Sequence, residues 1–190
     1  MTTSATLLIA SDIFGMTDAF RRLARSLCRR PVPVSAHADP SLSFIDETEA
    51  YARFVEAGGV GAYAARIRRI LTERPDISGL VGFSAGASAG WVVSATSESA
   101  GLSLCVLFYG SRVRDHAGLV PGCPVRLVFA ERERSFDPAP LAAGLAARGV
   151  PAEVVPGSGH GFMNELSASY SPELYRRYTG ELNTLFARRP

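Results

Sequence analysis

Short apolar runs alternate with longer stretches of helical periodicity along the whole chain. The runs fall at residues 5–10, 32–36, 79–83, 102–109, 125–130 and 152–155. Most are apolar at consecutive positions and bounded by Gly, Pro, Ser or Asp, as expected of strands covered on both faces in a parallel sheet. Between them, residues 18–29, 60–73, 85–97, 139–148 and 172–187 read as helices. The first follows an N-cap residue, Thr17, and places Phe20, Leu23, Ala24 and Leu27 on one face. The second does the same with Tyr63, Ile67, Ile70 and Leu71. Strand–helix alternation predicts one α/β domain over residues 1–190, with a mostly parallel sheet and helices on both faces. Residues 37–57 form the long connection. It mixes Phe44, Tyr51 and Phe54 with acids and is expected to supply part of a binding site.

Composition narrows the function classes. With 190 residues, 47% hydrophobic and 20% charged, the chain suits a single soluble core. The net charge of +2 is too balanced to point to nucleic acid. All 20 basic residues are arginine, which excludes a lysine Schiff base and a P-loop lysine. Cys28, Cys105 and Cys123 are widely spaced, so neither a zinc site nor a redox pair is indicated. Cys105 reads as a buried strand residue and the other two as small apolar side chains. No apolar run approaches the roughly 18 residues of a membrane span. Residues 1–10 lack a basic region and a clear cleavage site, which makes the cytoplasm the expected compartment.

The strongest chemical signal is Gly82-Phe83-Ser84-Ala85-Gly86, where the run 79–83 meets an alanine-rich helix. This is a Gly-x-Ser-x-Gly nucleophile elbow in strand–turn–helix context. The turn lifts the hydroxyl to the carboxyl end of the sheet, and side chains at the flanking glycines would collide with backbone. A serine needs a base. His37 and His116 read as solvated loop residues, whereas His160 lies in a glycine loop, 156–162, directly after the last strand. The acid should fall between the fifth strand and that histidine. Glu131, Glu133 and Asp137 qualify. Glu133 is modestly favoured by its mid-loop position and by Arg132 and Arg134 beside it, whereas Asp137 before Pro138 could instead start a helix. Oxyanion donors are expected from the backbone of Ala85 and, after the first strand, of Ile13. Gly59-Val60-Gly61-Ala62-Tyr63-Ala64 mimics a dinucleotide-binding fingerprint, but it follows a polar, helix-like segment and not a strand.

These segments resemble the dienelactone hydrolase family of α/β-hydrolases. The resemblance rests on Ile9-Ala10-Ser11-Asp12-Ile13-Phe14-Gly15, the elbow, Phe108-Tyr109-Gly110-Ser111, the loop around Glu133 and Gly159-His160-Gly161-Phe162-Met163-Asn164. It implies an α/β-hydrolase fold in minimal form, without antiparallel N-terminal strands or a lid domain. The family's Gly-x-x-Asp acid loop falls on Ala130-Glu131-Arg132-Glu133 and brings Glu133 to the acid position. Its acidic residue before the oxyanion-hole isoleucine falls on Asp12. Asp12, Phe14, Phe83, Tyr109, Phe162 and Asn164 of the motifs, with Tyr51 of the long connection, are assigned to substrate binding.

This chain departs from the family's namesake enzymes in carrying Ser84 where they carry cysteine, and a glutamate for the usual aspartate. The arginines that hold a substrate carboxylate there have no counterpart at the expected places, and residues 46–51 read acidic. A neutral ester or lactone is therefore expected, in an open site suited to small acyl groups. The expected function is a small serine hydrolase with a Ser84–Glu133–His160 triad that needs no cofactor or metal. A thioesterase or acyltransferase with the same apparatus, and a non-catalytic hydrolase-fold binding protein, are the alternatives. The expected partner is the small-molecule substrate, not nucleic acid or membrane, and open sheet edges leave room for a homodimer.

Overall fold

The computed structural model describes residues 3–187. Six strands form one sheet: β1 (Thr3–Ala10), β2 (Cys28–Val34), β3 (Ile77–Phe83), β4 (Leu104–Phe108), β5 (Val125–Arg132) and β6 (Ala152–Gly159). Their order is β2-β1-β3-β4-β5-β6 and every neighbouring pair is parallel. Six α-helices accompany them among the described residues: α1 (Asp18–Leu27), α2 (Glu47–Glu56), α3 (Gly59–Glu73), α4 (Ala85–Ser94), α5 (Pro138–Ala146) and α6 (Pro172–Ala187). Each predicted strand and helix is present.

The both-faced burial of the strands has a direct cause. Along β1, Leu8 and Ala10 face a cluster built with Tyr63, Ile67 and Trp91 of α3 and α4. Leu7 and Ile9 face the opposite cluster, with Phe20, Leu23 and Leu27 of α1 and Tyr178, Leu182 and Phe186 of α6. The helices thus sandwich the sheet, and β1, β3 and β4 present their carboxyl ends together at its centre.

The boundaries shift mainly at the sheet edges. α1 ends at Leu27, two residues early, and β2 starts at Cys28, four residues before the predicted run. β6 continues to Gly159, past the predicted end at 155. Both are edge strands, which tolerate prolines and polar residues because one side needs no partner. Pro31, Pro33 and Pro156 sit in them. The long connection contains α2, at the polar, helix-like segment that precedes Gly59. Asp46 caps it by accepting the Glu49 N–H at 2.7 Å, and only Ala50 and Phe54 are buried, so its apolar stripe is thin. The Gly59–Ala64 motif opens α3 directly after α2, without a preceding strand. Cys105 and Cys123 are both buried, and their sulfurs lie 3.5 Å apart.

Candidate active site

β3 ends at Phe83 and α4 starts at Ala85, so Ser84 makes the turn between them with φ 51° and ψ −108°. This left-handed backbone is costly for a residue with a Cβ. It is held from both sides. The Ser84 N–H donates to the Phe108 carbonyl of β4 at 2.9 Å, and the Ser84 carbonyl accepts from the Ser88 N–H at 2.9 Å. A Cβ on Gly82 would lie 2.6 Å from the Gly86 carbonyl oxygen, and one on Gly86 would collide with the Ala10 carbonyl. The close approach of strand and helix requires both glycines.

His160 follows β6 directly, and its N–H donates to the Arg132 carbonyl at the end of β5 at 3.2 Å. Its Nε2 lies 2.9 Å from Ser84 Oγ. Its Nδ1 lies 2.9 Å from each carboxylate oxygen of Glu133. A carboxylate only accepts, so in the neutral ring Nδ1 carries the proton and Nε2 is left to accept from the serine. The Glu133 side chain is 3% exposed and that of His160 36%. The Tyr109 ring packs edge-on against the imidazole, with centroids 5.2 Å apart.

The other two acids are engaged elsewhere. Glu131 Oε2 accepts the Gly157 N–H at 2.8 Å. Asp137 Oδ1 accepts the Ala139 N–H at 3.0 Å and caps α5, whose first residue is Pro138. Arg132 and Arg134, beside Glu133 in the chain, form no ion pair with it among the described residues. Arg134 reaches instead towards Glu47, at 3.9 Å. The second partner of Glu133 is Ser111, whose hydroxyl donates to Oε2 at 3.0 Å. Ser111 had no role in the sequence reading. Its signal was its position just past β4, the strand beside β5.

Ile13 and Ala85 line the cavity with Ser84, and among the described residues neither backbone N–H has an acceptor. Asp12 is 9% exposed. Its Oδ1 accepts the Phe14 N–H at 3.0 Å and its Oδ2 the Asn164 side-chain N–H at 2.7 Å. Burial pushes the Asp12 carboxyl up to about 6, against these two hydrogen bonds and the nearby His160, which favour its charged form.

The cavity above Ser84 has a volume of about 1040 Å³. Asp12, Phe14, Tyr51, Tyr109 and Asn164 line it, as expected. Phe83 and Phe162 do not. They are 2% and 0% exposed and belong to the cluster beneath, where Phe83 stacks on Phe108 at 5.3 Å and Phe162 lies 5.7 Å from Tyr178. Their phenyl rings pack in the layer beneath the cavity. Nor is His37 a solvated residue. It is 3% exposed, donates from Nε2 to the Ile13 carbonyl at 2.6 Å, and packs on Phe44 at 4.7 Å. His116 is exposed at the cavity rim.

Two properties of the cavity were not legible from spacing. Ile45, Tyr51, Val55 and Leu166, four of the six large apolar side chains exposed among the described residues, line this one space. A cleft of this size and lining exceeds what a small acyl group fills. Arginines also reach it, Arg112 and Arg114 from the loop after β4, Arg132 from the end of β5 and Arg134 from the loop behind it. Arg112 and Arg114 pair with Asp115 at 3.1 and 3.6 Å, and Arg112 also donates to the Tyr51 hydroxyl at 2.7 Å.

Comparison with known proteins gives a family and a fold. Residues 46–188 match the model of the group described as the dienelactone hydrolase family, a span that includes Ser84, Glu133 and His160 but not Ile13. An uncharacterized Bacillus subtilis protein, YczH, is 29% identical over 140 residues, which cover 71% of this chain and 68% of that protein. Among solved structures, a protein of Klebsiella pneumoniae designated a candidate dienelactone hydrolase superposes with a TM-score of 0.77. It is 19% identical, and the match covers 99% of this chain and 88% of the other. P91, a dienelactone hydrolase-like promiscuous phosphotriesterase from metagenomic libraries, gives 0.72 at 18% identity, covering 97% and 87%. The architecture is the α/β-hydrolase fold.

Proposed function

The chain belongs to the dienelactone hydrolase family, and from that premise we propose that it is a serine hydrolase acting on neutral esters or lactones. The observation that carries this reading is the unbroken series from Ser84 Oγ to His160 Nε2 and, across the ring, from His160 Nδ1 to Glu133, with 2.9 Å at each of the two contacts. Ser84 attacks the acyl carbon as His160 Nε2 takes its proton. Glu133 holds the ring orientation and stabilises the imidazolium through Nδ1–H. The Ile13 and Ala85 N–H groups donate to the oxyanion, with Ala85 at the N-terminus of α4, where the helix dipole favours negative charge. His160 then protonates the leaving oxygen. The acyl-enzyme is cleaved by water activated at the same Nε2, which returns Ser84 to its resting state.

The wall of Ile45, Tyr51, Val55 and Leu166 supports a substrate with a sizeable apolar portion. Four carboxylates, Asp12, Glu47, Asp115 and Glu133, line the cavity with the four arginines, a balance that supports a substrate without a carboxylate. The test is turnover of p-nitrophenyl esters of rising chain length and of simple lactones, by the native protein and by Ser84→Ala. Saturable hydrolysis that Ser84→Ala abolishes is expected. Equal rates for the two proteins would refute the reading.

A further inference from the structure

We propose that His37 is a positioning residue that fixes the direction of the Ile13 N–H, with Ser11 and Asp12 holding the adjoining peptides. The inference rests on the oxyanion role given to Ile13 above. It follows from accounting for both ends of two consecutive peptide units. In a trans peptide the C=O and N–H point in opposite directions. In the Asp12–Ile13 unit the carbonyl accepts from the Ser11 hydroxyl at 2.8 Å and from the Gly15 N–H at 3.2 Å. The carbonyl is thereby turned towards Ser11 and Gly15, so the Ile13 N–H is turned away from them. In the next unit, the Ile13 carbonyl accepts from His37 Nε2 at 2.6 Å and the Phe14 N–H donates to Asp12 Oδ1 at 3.0 Å. Both planes flanking the Ile13 Cα are held, so a swing of the Ile13 N–H would have to break hydrogen bonds of the loop.

Part of the backing comes from outside the loop that carries the donor, from the chain after β2. Ser11 Oγ also accepts the Ala36 N–H at 3.0 Å, and the His37 N–H donates to Ser35 Oγ at 3.1 Å. The imidazole is packed against Phe44, and a Cβ on Gly15 would lie 3.2 Å from its Cδ2. Because a carbonyl only accepts, Nε2 must carry the proton. A donor held in place before reaction needs no reorganisation as charge develops on the substrate oxygen, so the effect of His37 should fall on the transition state.

The experiment compares His37→Phe, which keeps a ring in the packing but removes the donor, with His37→Gln, whose amide nitrogen restores it. For p-nitrophenyl butyrate, His37→Phe should lower kcat by about 10- to 100-fold with KM changed by no more than about twofold. Affinity for an alkyl boronic acid, which forms a tetrahedral anionic adduct, should fall in parallel. His37→Gln should recover kcat to within about threefold of the native value. If His37→Phe does not fold, Ser11→Ala is judged by the same split between kcat and KM. A folded His37→Phe with native kcat, or one whose loss lies in KM and is not restored by glutamine, overturns the inference. Failure of the native protein to react with a fluorophosphonate at Ser84 would instead overturn the underlying hydrolase reading, and this inference with it.

Discussion

Glu133 meets His160 Nδ1 with both carboxylate oxygens at 2.9 Å, and one of those oxygens also accepts from Ser111. The carboxylate is nearly fully buried, so losing its charge would leave the imidazolium without a counter-ion in a poorly solvated place. Glu133→Gln should therefore lower kcat by roughly 10²- to 10⁴-fold with little change in KM. Glu131→Gln and Asp137→Asn should each cost about tenfold or less, because those side chains bond Gly157 and cap α5. Steady-state kinetics on one ester decides the matter. A near-native Glu133→Gln with a dead Asp137→Asn would assign the acid to Asp137.

Ser111 anchors the carboxylate from the neighbouring strand end. Ser111→Ala removes one hydrogen bond to a charged group, about 1–2 kcal/mol, and should lower kcat by roughly 5- to 30-fold. Ser111→Thr retains the hydroxyl and should lose less. Equal activity of the alanine variant and the native protein would remove Ser111 from the account.

Asp12 provides a pH signature in stability. Its carboxyl is raised from 3.8 to about 6, chiefly by burial, so folding favours the protonated form. The stabilising contribution is complete below pH 3.8 and is lost as pH rises through about 6. Asp12→Asn should thus raise Tm relative to the native protein above pH 6, by the equivalent of about 1–3 kcal/mol, with the difference vanishing near pH 4. Thermal unfolding at a series of pH values checks this, and a difference independent of pH would contradict it.

The strand pattern was legible because central strands buried on two faces must be apolar at consecutive positions, as Leu7 to Ala10 are. The elbow was legible because the Gly82–Gly86 contact leaves no room for a Cβ. Other features depend on tertiary contact. His37 looked solvated because it follows an edge strand among polar residues, yet Phe44 and the Ile13 carbonyl enclose it. Phe83 and Phe162 stand beside chemical residues in the chain, but their rings turn to the α1–α6 side. Ser111 reaches Glu133 only because β4 and β5 are neighbours.

Neutral substrates should be preferred to anionic ones. A lactone whose pendant carboxylate is methylated should exceed the same lactone with the free carboxylate in kcat/KM for ring opening. A tenfold preference for an anionic lactone over its methyl ester would contradict this. Arg132, which makes no ion pair among the described residues, would then be the side chain to replace.

The central claim is that Ser84 is the activated nucleophile. Reaction with a serine-directed fluorophosphonate, followed by peptide mapping of the adduct, tests it directly. A single adduct on the peptide bearing Ser84, absent from a folded Ser84→Ala variant and slowed at least about tenfold in Glu133→Gln, is the expected result. An adduct that persists in Ser84→Ala at another serine, or no adduct on the native protein, would contradict it.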